Sequence, residues 1–531
     1  MLFVLMRYML NNYCIFKPNF FVMNYTYQLI VVLLLVVNIN LHAQENLPSF
    51  IKDSLENYII KAQKEWQIPA IAVAIVKDGK LVKTILSGVK DVESNTLIDQ
   101  NTLFMIGSNS KAFTATLMAT LAEEGKLSLK DPVKKWLPYF KMKDDWLTEK
   151  VDIVDILSHR VGFETFQGDF LNFDNELSSK EIIQKFALIE PTNQYRDQWG
   201  YFNTGYTIAG EIIKAATNKT WEEQLKERLF LPLEMNNSLA LSKDIKVAKN
   251  KTLAHTITNG NLTIIPYGDI DATAPAGSIS SSIADMTKWV LTLLNGGKYN
   301  TKQVIPTNAL INTVYPRSFQ NISWHPYNKT NFSLYGLGWD LQDYEGYKLV
   351  MHTGGIHGYL SSVTTLPKKN LGIIILTNTD QNSLYEALKW EIIDAYLGLP
   401  RQNYSALYKS FYDKGKANKK VKKEKLIKEV ENKNKPSISL NKFLGRYANE
   451  VYGSLTISKK SKDTLQIDFE HHKNLTVKLM HLKNNKFYAV FNNPLYGESV
   501  FPFIVKDNKV VEFTLKLDPS VEVTTYTFYK Q

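Results

Sequence analysis

A serine and a lysine three residues apart share one face of a helix. Ser108 and Lys111 stand in that relation, and from Ser108 to Ala122 every other residue is small, polar-neutral or apolar, so Lys111 is the only charge. A helix without a polar face is normally buried on all sides. Lysine is rarely buried unless it is paired or put to use. A desolvated amine beside a hydroxyl is the minimal arrangement for an activated nucleophile. The spacing alone selects little, because Ser49/Lys52, Ser87/Lys90 and Ser439/Lys442 share it. Only Ser108 opens an apolar helix. The competing reading makes Ser108 an N-cap and lets Lys111 snorkel to water.

Two further clusters could serve such a nucleophile. In Tyr201-Phe202-Asn203 a phenol near an amine could shuttle a proton, and an asparagine amide could hold a substrate carbonyl. A packing aromatic followed by the N-cap of a helix over 203–216 is the plainer account. In His352-Thr353-Gly354-Gly355 the glycines allow close approach to a backbone between two β runs, and the Gly355 N–H could face an oxyanion. A β-bulge with a surface histidine is the alternative there. The adjacent pair His471-His472 would point to opposite strand faces, which argues against a metal site.

The elements that must position these residues are legible in outline. An amphipathic helix is expected over 50–66, then a strand over 70–76, a turn at Lys77-Asp78-Gly79-Lys80 and a return strand over 81–86. Helices are expected over 203–216, 283–294 and 384–397, and late strands over 349–352, 361–366 and 372–376. An early hairpin, central helices and late strands imply an α+β domain with one sheet built from both ends of the chain. Seven short β runs follow, over 454–458, 464–469, 475–482, 487–491, 501–505, 510–517 and 523–528. They read as a small antiparallel barrel or sandwich.

The three clusters and their surroundings resemble the serine β-lactamase and penicillin-binding-protein superfamily. The type most resembled is the class C β-lactamase-related group of esterases and D-aminopeptidases. The resemblance spans roughly residues 47–399. It rests on Phe104-Met105-Ile106-Gly107 before the serine and on Asp155-Ile156-Leu157-Ser158-His159-Arg160-Val161-Gly162. Pro275-Ala276-Gly277-Ser278 and Tyr335-Gly336-Leu337-Gly338-Trp339 complete it, and the final region resembles an appended lipocalin-like β domain.

The resemblance implies that Ser108 is the acylated nucleophile and that Lys111 polarises it. Tyr201 would act as general base and then general acid, and Asn203 would orient the substrate amide. The backbone N–H groups of Ser108 and Gly355 would form the oxyanion hole, within the motif His352, Thr353, Gly354 and Gly355. Pocket walls are expected from the loops over 164–193 and 255–274. His352 stands where penicillin-type enzymes place a lysine, which fits an esterase or peptidase better than a β-lactamase. Arg160-Val161 also departs from the family pattern.

The 531 residues, 44% hydrophobic and 22% charged, describe a globular protein with room for several domains. The single cysteine, Cys14, excludes an intrachain disulfide and a cysteine-ligated metal. The apolar run over 29–37, followed by Leu41-His42-Ala43, reads as a signal peptide ending at Ala43, with Met23 as an alternative start. An uncleaved membrane anchor is the alternative. The net charge of +11 is local, since residues 414–435 hold ten lysines against three glutamates. A solvated helical linker that touches anionic envelope surfaces fits this run better than nucleic-acid binding.

The expected organisation is a signal peptide over 1–43, a hydrolase domain over 44–400, a lysine-rich linker over 401–437 and a β domain over 438–531. The expected activity is a periplasmic or secreted serine hydrolase without metal or organic cofactor. It would cleave D-amino-acid peptides, cell-wall (peptidoglycan) fragments or esters. A class C-type β-lactamase and an inactive binding protein on the same fold are the rivals.

Overall fold

Asp78 and Gly79 both take positive φ, 49° and 77°, as a two-residue I′ turn requires. They join β1 (Ala70–Lys77) to β2 (Lys80–Gly88) in a computed structural model that describes residues 47–531. The expected signal peptide, Met23 and Cys14 lie outside the described residues. β1 is apolar and buried along nearly its whole length, which marks a central strand.

The chain leaves the sheet after β2 and returns as β3 (Ser318–Ile322), β4 (Phe332–Tyr335), β5 (Asp340–Tyr344), β6 (Tyr347–Ile356), β7 (Tyr359–Leu366) and β8 (Leu371–Thr377). β8 pairs antiparallel with β1, Ala74 opposite Ile374, giving the strand order β2-β1-β8-β7-β6-β5-β4-β3. The α+β sheet assembled from both ends of the chain thus forms as expected, with three strands, β3 to β5, added to those read from the sequence.

The expected first helix begins as a π-turn (Phe50–Ser54) and continues as α1 (Leu55–Glu65). α2 (Ser110–Glu123) buries every residue from Ser110 to Leu121, Lys111 included. α3 (Thr204–Thr217) packs against it. α4 (Ile283–Leu294) and α5 (Leu384–Leu397) lie on the sheet. Gly372 of β8 admits α4 closely, since a Cβ there would stand 2.3 Å from Val290 Cγ1.

Arg160 has a structural task. The fully buried Asp155 carboxylate accepts from Arg160 Nε at 2.6 Å and from Arg196 Nε and Nη2 at 2.8 and 2.9 Å. Burial opposes its charge, yet these partners hold its pKa below the ordinary value. Arg160 Nη1 also donates to the Arg317 carbonyl at 3.2 Å, tying this segment to the edge of the sheet. Asp155→Ala leaves two guanidiniums without their shared anion and should cost about 3–5 kcal/mol, read from chemical denaturation midpoints.

α6 (Tyr404–Glu431) carries most of the lysine run, and only Tyr404 and Ser405 on it are buried. Its lysines reach barrel carboxylates, Lys423 Nζ to Glu498 at 2.5 Å and Lys419 Nζ to Asp518 at 3.5 Å. The closed barrel that follows has eight antiparallel strands: β9 (Gly445–Asn449), β10 (Gly453–Ser461), β11 (Thr464–Phe469), β12 (Thr476–His481), β13 (Lys486–Phe491), β14 (Glu498–Lys506), β15 (Lys509–Leu515) and β16 (Tyr526–Lys530). β9, absent from the expected runs, closes the barrel by pairing with β16 at Tyr447 and Lys530. Aromatic rings fill the interior, with Phe503–Phe513 centroids 4.8 Å apart and Phe443–Phe487 5.0 Å apart. The expected run over 523–528 begins as a loop, and Ser520 and Val521 just before it line a cavity shared with the sheet-bearing part of the chain.

Candidate active site

Two glycine segments press together around Ser108. Gly107 has φ 53°, and a Cβ there would stand 2.8 Å from the Gly355 backbone N. A Cβ on Gly354 would stand 1.8 Å from the Ile106 carbonyl oxygen. Only glycine permits this approach, which sets the Gly355 N–H beside the nucleophile turn. The turn itself is a 3₁₀ segment, Gly107–Asn109, so Ser108 precedes the α-helix rather than opening it. Ser110 Oγ donates to the Gly107 carbonyl at 2.7 Å and accepts from the Ile279 N–H at 3.1 Å, which fastens the turn from below.

Lys111 Nζ donates to Ser108 Oγ at 3.1 Å, to Asn203 Oδ1 at 2.6 Å and to the Ala276 carbonyl at 2.7 Å. Snorkelling is excluded, because the side chain is fully buried. Burial lowers the amine's pKa to about 7, against the pull of Asp169 and Asp340. A substantial fraction is therefore unprotonated at neutral pH and able to accept a proton. A base must be neutral to act, so kcat/KM on an uncharged ester should rise as pH increases through about 7; a pH–rate profile checks this.

Asn203 precedes α3 but makes no side-chain cap. Its Oδ1 faces Lys111, and its Nδ2 donates to Asp169 Oδ2. The backbone N–H of Asn203 donates to Asp169 Oδ1 at 3.2 Å. The amide thus links the lysine to the buried Asp169 from the cavity wall. Burial pushes the Asp169 carboxyl up to about 6, against the favourable Asn203 bonds and Lys111.

Tyr201 lies 4.8 Å from Lys111 Nζ, measured to the ring centroid, and its ring packs 4.3 Å from that of His159. His159 is fully buried and its Nδ1 accepts from the Phe202 N–H at 3.3 Å. The segment held by Asp155 therefore backs the tyrosine. Burial pushes the Tyr201 hydroxyl well above its ordinary pKa, more than a Ser108 hydrogen bond lowers it.

His352 is buried and spent on internal bonds. Its Nδ1 stands 2.6 Å from the Thr353 carbonyl and its Nε2 stands 3.0 Å from the Tyr335 hydroxyl. The carbonyl can only accept, so Nδ1 carries the hydrogen and Nε2 accepts from the tyrosine. Burial, and then the nearby Lys111, lower its pKa to about 3. The ring is neutral at pH 7.

Ser108, Tyr201, Asn203, His352, Thr353 and Gly355 all line one cavity of about 430 Å³, while Gly354 sits behind it against Ile106. Both loops expected as pocket walls contribute, for example Phe166 and Ile270. Among the described residues, three aspartates, Asp169, Asp340 and Asp380, line the cavity, and no lysine or arginine does. Asp169 escaped sequence reasoning because nothing in its spacing links it to Asn203, 34 residues away. The Ala276 carbonyl lay within a segment already singled out, but a backbone acceptor leaves no sequence signal.

Residues 55–397 match the family model named Beta-lactamase, and residues 429–530 match a domain of unknown function, DUF3471. The chain is similar to an unguisins hydrolase, ungD, of Aspergillus violaceofuscus, 26% identical over 68% of this chain and 67% of that protein. It is also similar to Protein flp of Staphylococcus aureus, 25% identical over 62% of this chain and 64% of flp. In fold it resembles an octameric penicillin-binding protein homologue from Pyrococcus abyssi, with a TM-score of 0.56 and 22% identity, over 90% of this chain and 99% of that one. The match over residues 55–397, most of the chain, places this protein in the beta-lactamase family.

Proposed function

We propose that the protein is a serine hydrolase that cleaves uncharged ester or amide bonds through an acyl-enzyme on Ser108. The carrying observation is the Lys111 amine, 3.1 Å from Ser108 Oγ with its pKa lowered to about 7 by burial. Ser108 Oγ attacks the carbonyl carbon as its proton passes to Lys111 Nζ. Negative charge on the carbonyl oxygen meets the Ser108 and Gly355 N–H groups, each donor of this kind being worth about 2.7–4 kcal/mol. The tetrahedral intermediate collapses, and the leaving group departs with the proton held by Lys111, passed directly or relayed through the Tyr201 hydroxyl. Water then attacks the acyl-serine, giving a proton to Lys111, which returns it to Ser108 Oγ as the acid leaves and restores the enzyme.

Family resemblance alone would give the base to Tyr201. Burial keeps that phenol protonated, so the proton acceptor in this reading is Lys111 and Tyr201 serves as a donor. The new ammonium is stabilised by Asn203 Oδ1, the Ala276 carbonyl and, through Asn203, Asp169.

Substrate class follows from the charges. A neutral His352 and, among the described residues, a cavity wall without lysine or arginine offer a substrate carboxylate no fixed cation beyond the reacting Lys111 amine. Esters and peptides lacking a carboxylate near the scissile bond fit better than penicillins. The relatives named unguisins hydrolases act, by that name, on unguisins. The test compares p-nitrophenyl butyrate and a D-alanine p-nitroanilide with a chromogenic cephalosporin. Higher kcat/KM on the ester or the anilide is expected, and faster cephalosporin turnover would overturn the substrate assignment in favour of a β-lactamase.

A further inference from the structure

The barrel does something more specific than adjoin the hydrolase domain. After Gly168, at φ 82°, the loop makes one 3₁₀ turn, Asp169–Asn172. Consecutive side chains on that turn serve opposite partners. Asp169 turns to Asn203, as described above. Phe170 is fully buried among barrel rings, stacked on His472 with centroids 4.0 Å apart and 5° between planes. Tyr452, Tyr496 and Phe469 surround it at 5.3, 5.6 and 5.7 Å.

The loop backbone is pinned as well. His472 Nε2 donates to the Phe170 carbonyl at 3.0 Å, and the Phe170 N–H points to Glu522 Oε2 at 3.5 Å. Further along, the Tyr496 hydroxyl donates to Asp174 Oδ2 at 2.9 Å, and the Glu176 N–H donates to the His471 carbonyl at 3.1 Å. The barrel interior is already filled by its own rings, so the mouth is where a ring from the hydrolase domain enters. Leu495, Ser520 and Val521 from the same end of the barrel line the catalytic cavity.

We propose that the C-terminal barrel is a positioning component of the active site, gripping Phe170 so that Asp169 holds Asn203 against the Lys111 amine. The inference rests on the serine-hydrolase reading given above. Phe170 is a positioning residue, since it touches neither the cavity nor Lys111.

Glu522 gives the clamp a pH limit. Its Oε2 accepts from the Tyr452 hydroxyl at 3.0 Å and its Oε1 from the Thr524 N–H at 3.1 Å. The ionisable groups that face it are Asp169 from the loop, Tyr452 from the β9–β10 connection and Tyr526 from β16. Burial, and then the Asp169 charge, raise its pKa to about 8. Below that pH the group is a neutral acid. Above it, a second negative charge stands near Asp169 and repels the carboxylate that holds Asn203, although the Phe170 N–H and the Tyr452 hydroxyl favour the charged Glu522.

The test uses the full chain and its Phe170→Ala and Glu522→Gln variants, with kcat, KM, Ser108 labelling rate and a thermal melt for each. Phe170→Ala should lower kcat and the labelling rate by about 10- to 100-fold with KM unchanged, the signature of a displaced catalytic group. In the wild type, kcat should fall as pH rises through about 8, and Glu522→Gln should remove that fall while keeping the neutral-pH rate within the same order. A folded Phe170→Ala protein with wild-type kcat would overturn the clamp. So would an alkaline fall that survives unchanged in Glu522→Gln, which decides the matter should Phe170→Ala not fold. A wild type that no fluorophosphonate labels at Ser108 overturns the underlying hydrolase reading instead.

Discussion

Lys111→Met should lower kcat/KM on an uncharged ester by about 10²- to 10⁴-fold in a protein that still folds. Methionine suits the apolar, fully buried surroundings of α2, so the helix keeps its packing. The change strands two acceptors, Asn203 Oδ1 and the Ala276 carbonyl, at a cost of about 1–3 kcal/mol each. It also removes the burden of a buried amine, which offsets part of that cost. Lys111→Arg separates two possible roles. A guanidinium keeps the positive charge and does not deprotonate. If Lys111 accepts the serine proton, arginine fails as badly as methionine. A lysine acting only as a fixed cation would let arginine retain much of the rate. Single-turnover acylation, followed with a p-nitrophenyl ester, reads this without interference from product release.

Gly354→Ala is the second large effect, and it acts through the backbone. The new Cβ would stand 1.8 Å from the Ile106 carbonyl oxygen and 2.5 Å from Ser361 Oγ. Ser361 Oγ itself bonds that carbonyl and accepts from Asn109 Nδ2, both at 2.8 Å, so the strand cannot shift without disturbing the turn that carries Ser108. The overpacking should cost about 1–3 kcal/mol of stability. Displacing the Gly355 N–H should lower kcat by about 10²- to 10³-fold. Gly355→Ala is the matched control for packing, because its Cβ would meet only Leu360 Cδ2, at 3.4 Å. Its melting temperature should stay near wild type while that of Gly354→Ala falls.

Much of this site is readable in the sequence because its strongest signals are local. An uncharged helix with one lysine announces a buried amine, and Gly354-Gly355 announces a close backbone approach. What escapes is carried by contacts distant along the chain. Asp169 meets Asn203 only after the loop folds back, and Phe170 meets a barrel some 300 residues later. β5 eludes pattern reading because Asp340-Leu-Gln-Asp-Tyr344 is rich in residues that strands disfavour. Its polar groups are satisfied by partners elsewhere, Gln320 for Asp340 and Ser323 for Gln342. Arg160, opaque in sequence, proves to be the counter-ion of a buried aspartate five residues before it. Asn203, singled out in the sequence for a substrate amide, also bonds Lys111 and Asp169, contacts that no local pattern announces.

Site-resolved labelling of Ser108 tests the central claim most directly. The full chain is treated with a fluorophosphonate at pH 8, and the adduct is located by peptide mass spectrometry, beside Ser108→Ala and Lys111→Met. The expected result is a single adduct on Ser108, absent from Ser108→Ala and formed at least about 10²-fold more slowly in Lys111→Met. Ester hydrolysis that persists at the wild-type rate in Ser108→Ala, or an adduct on another residue, would contradict the account.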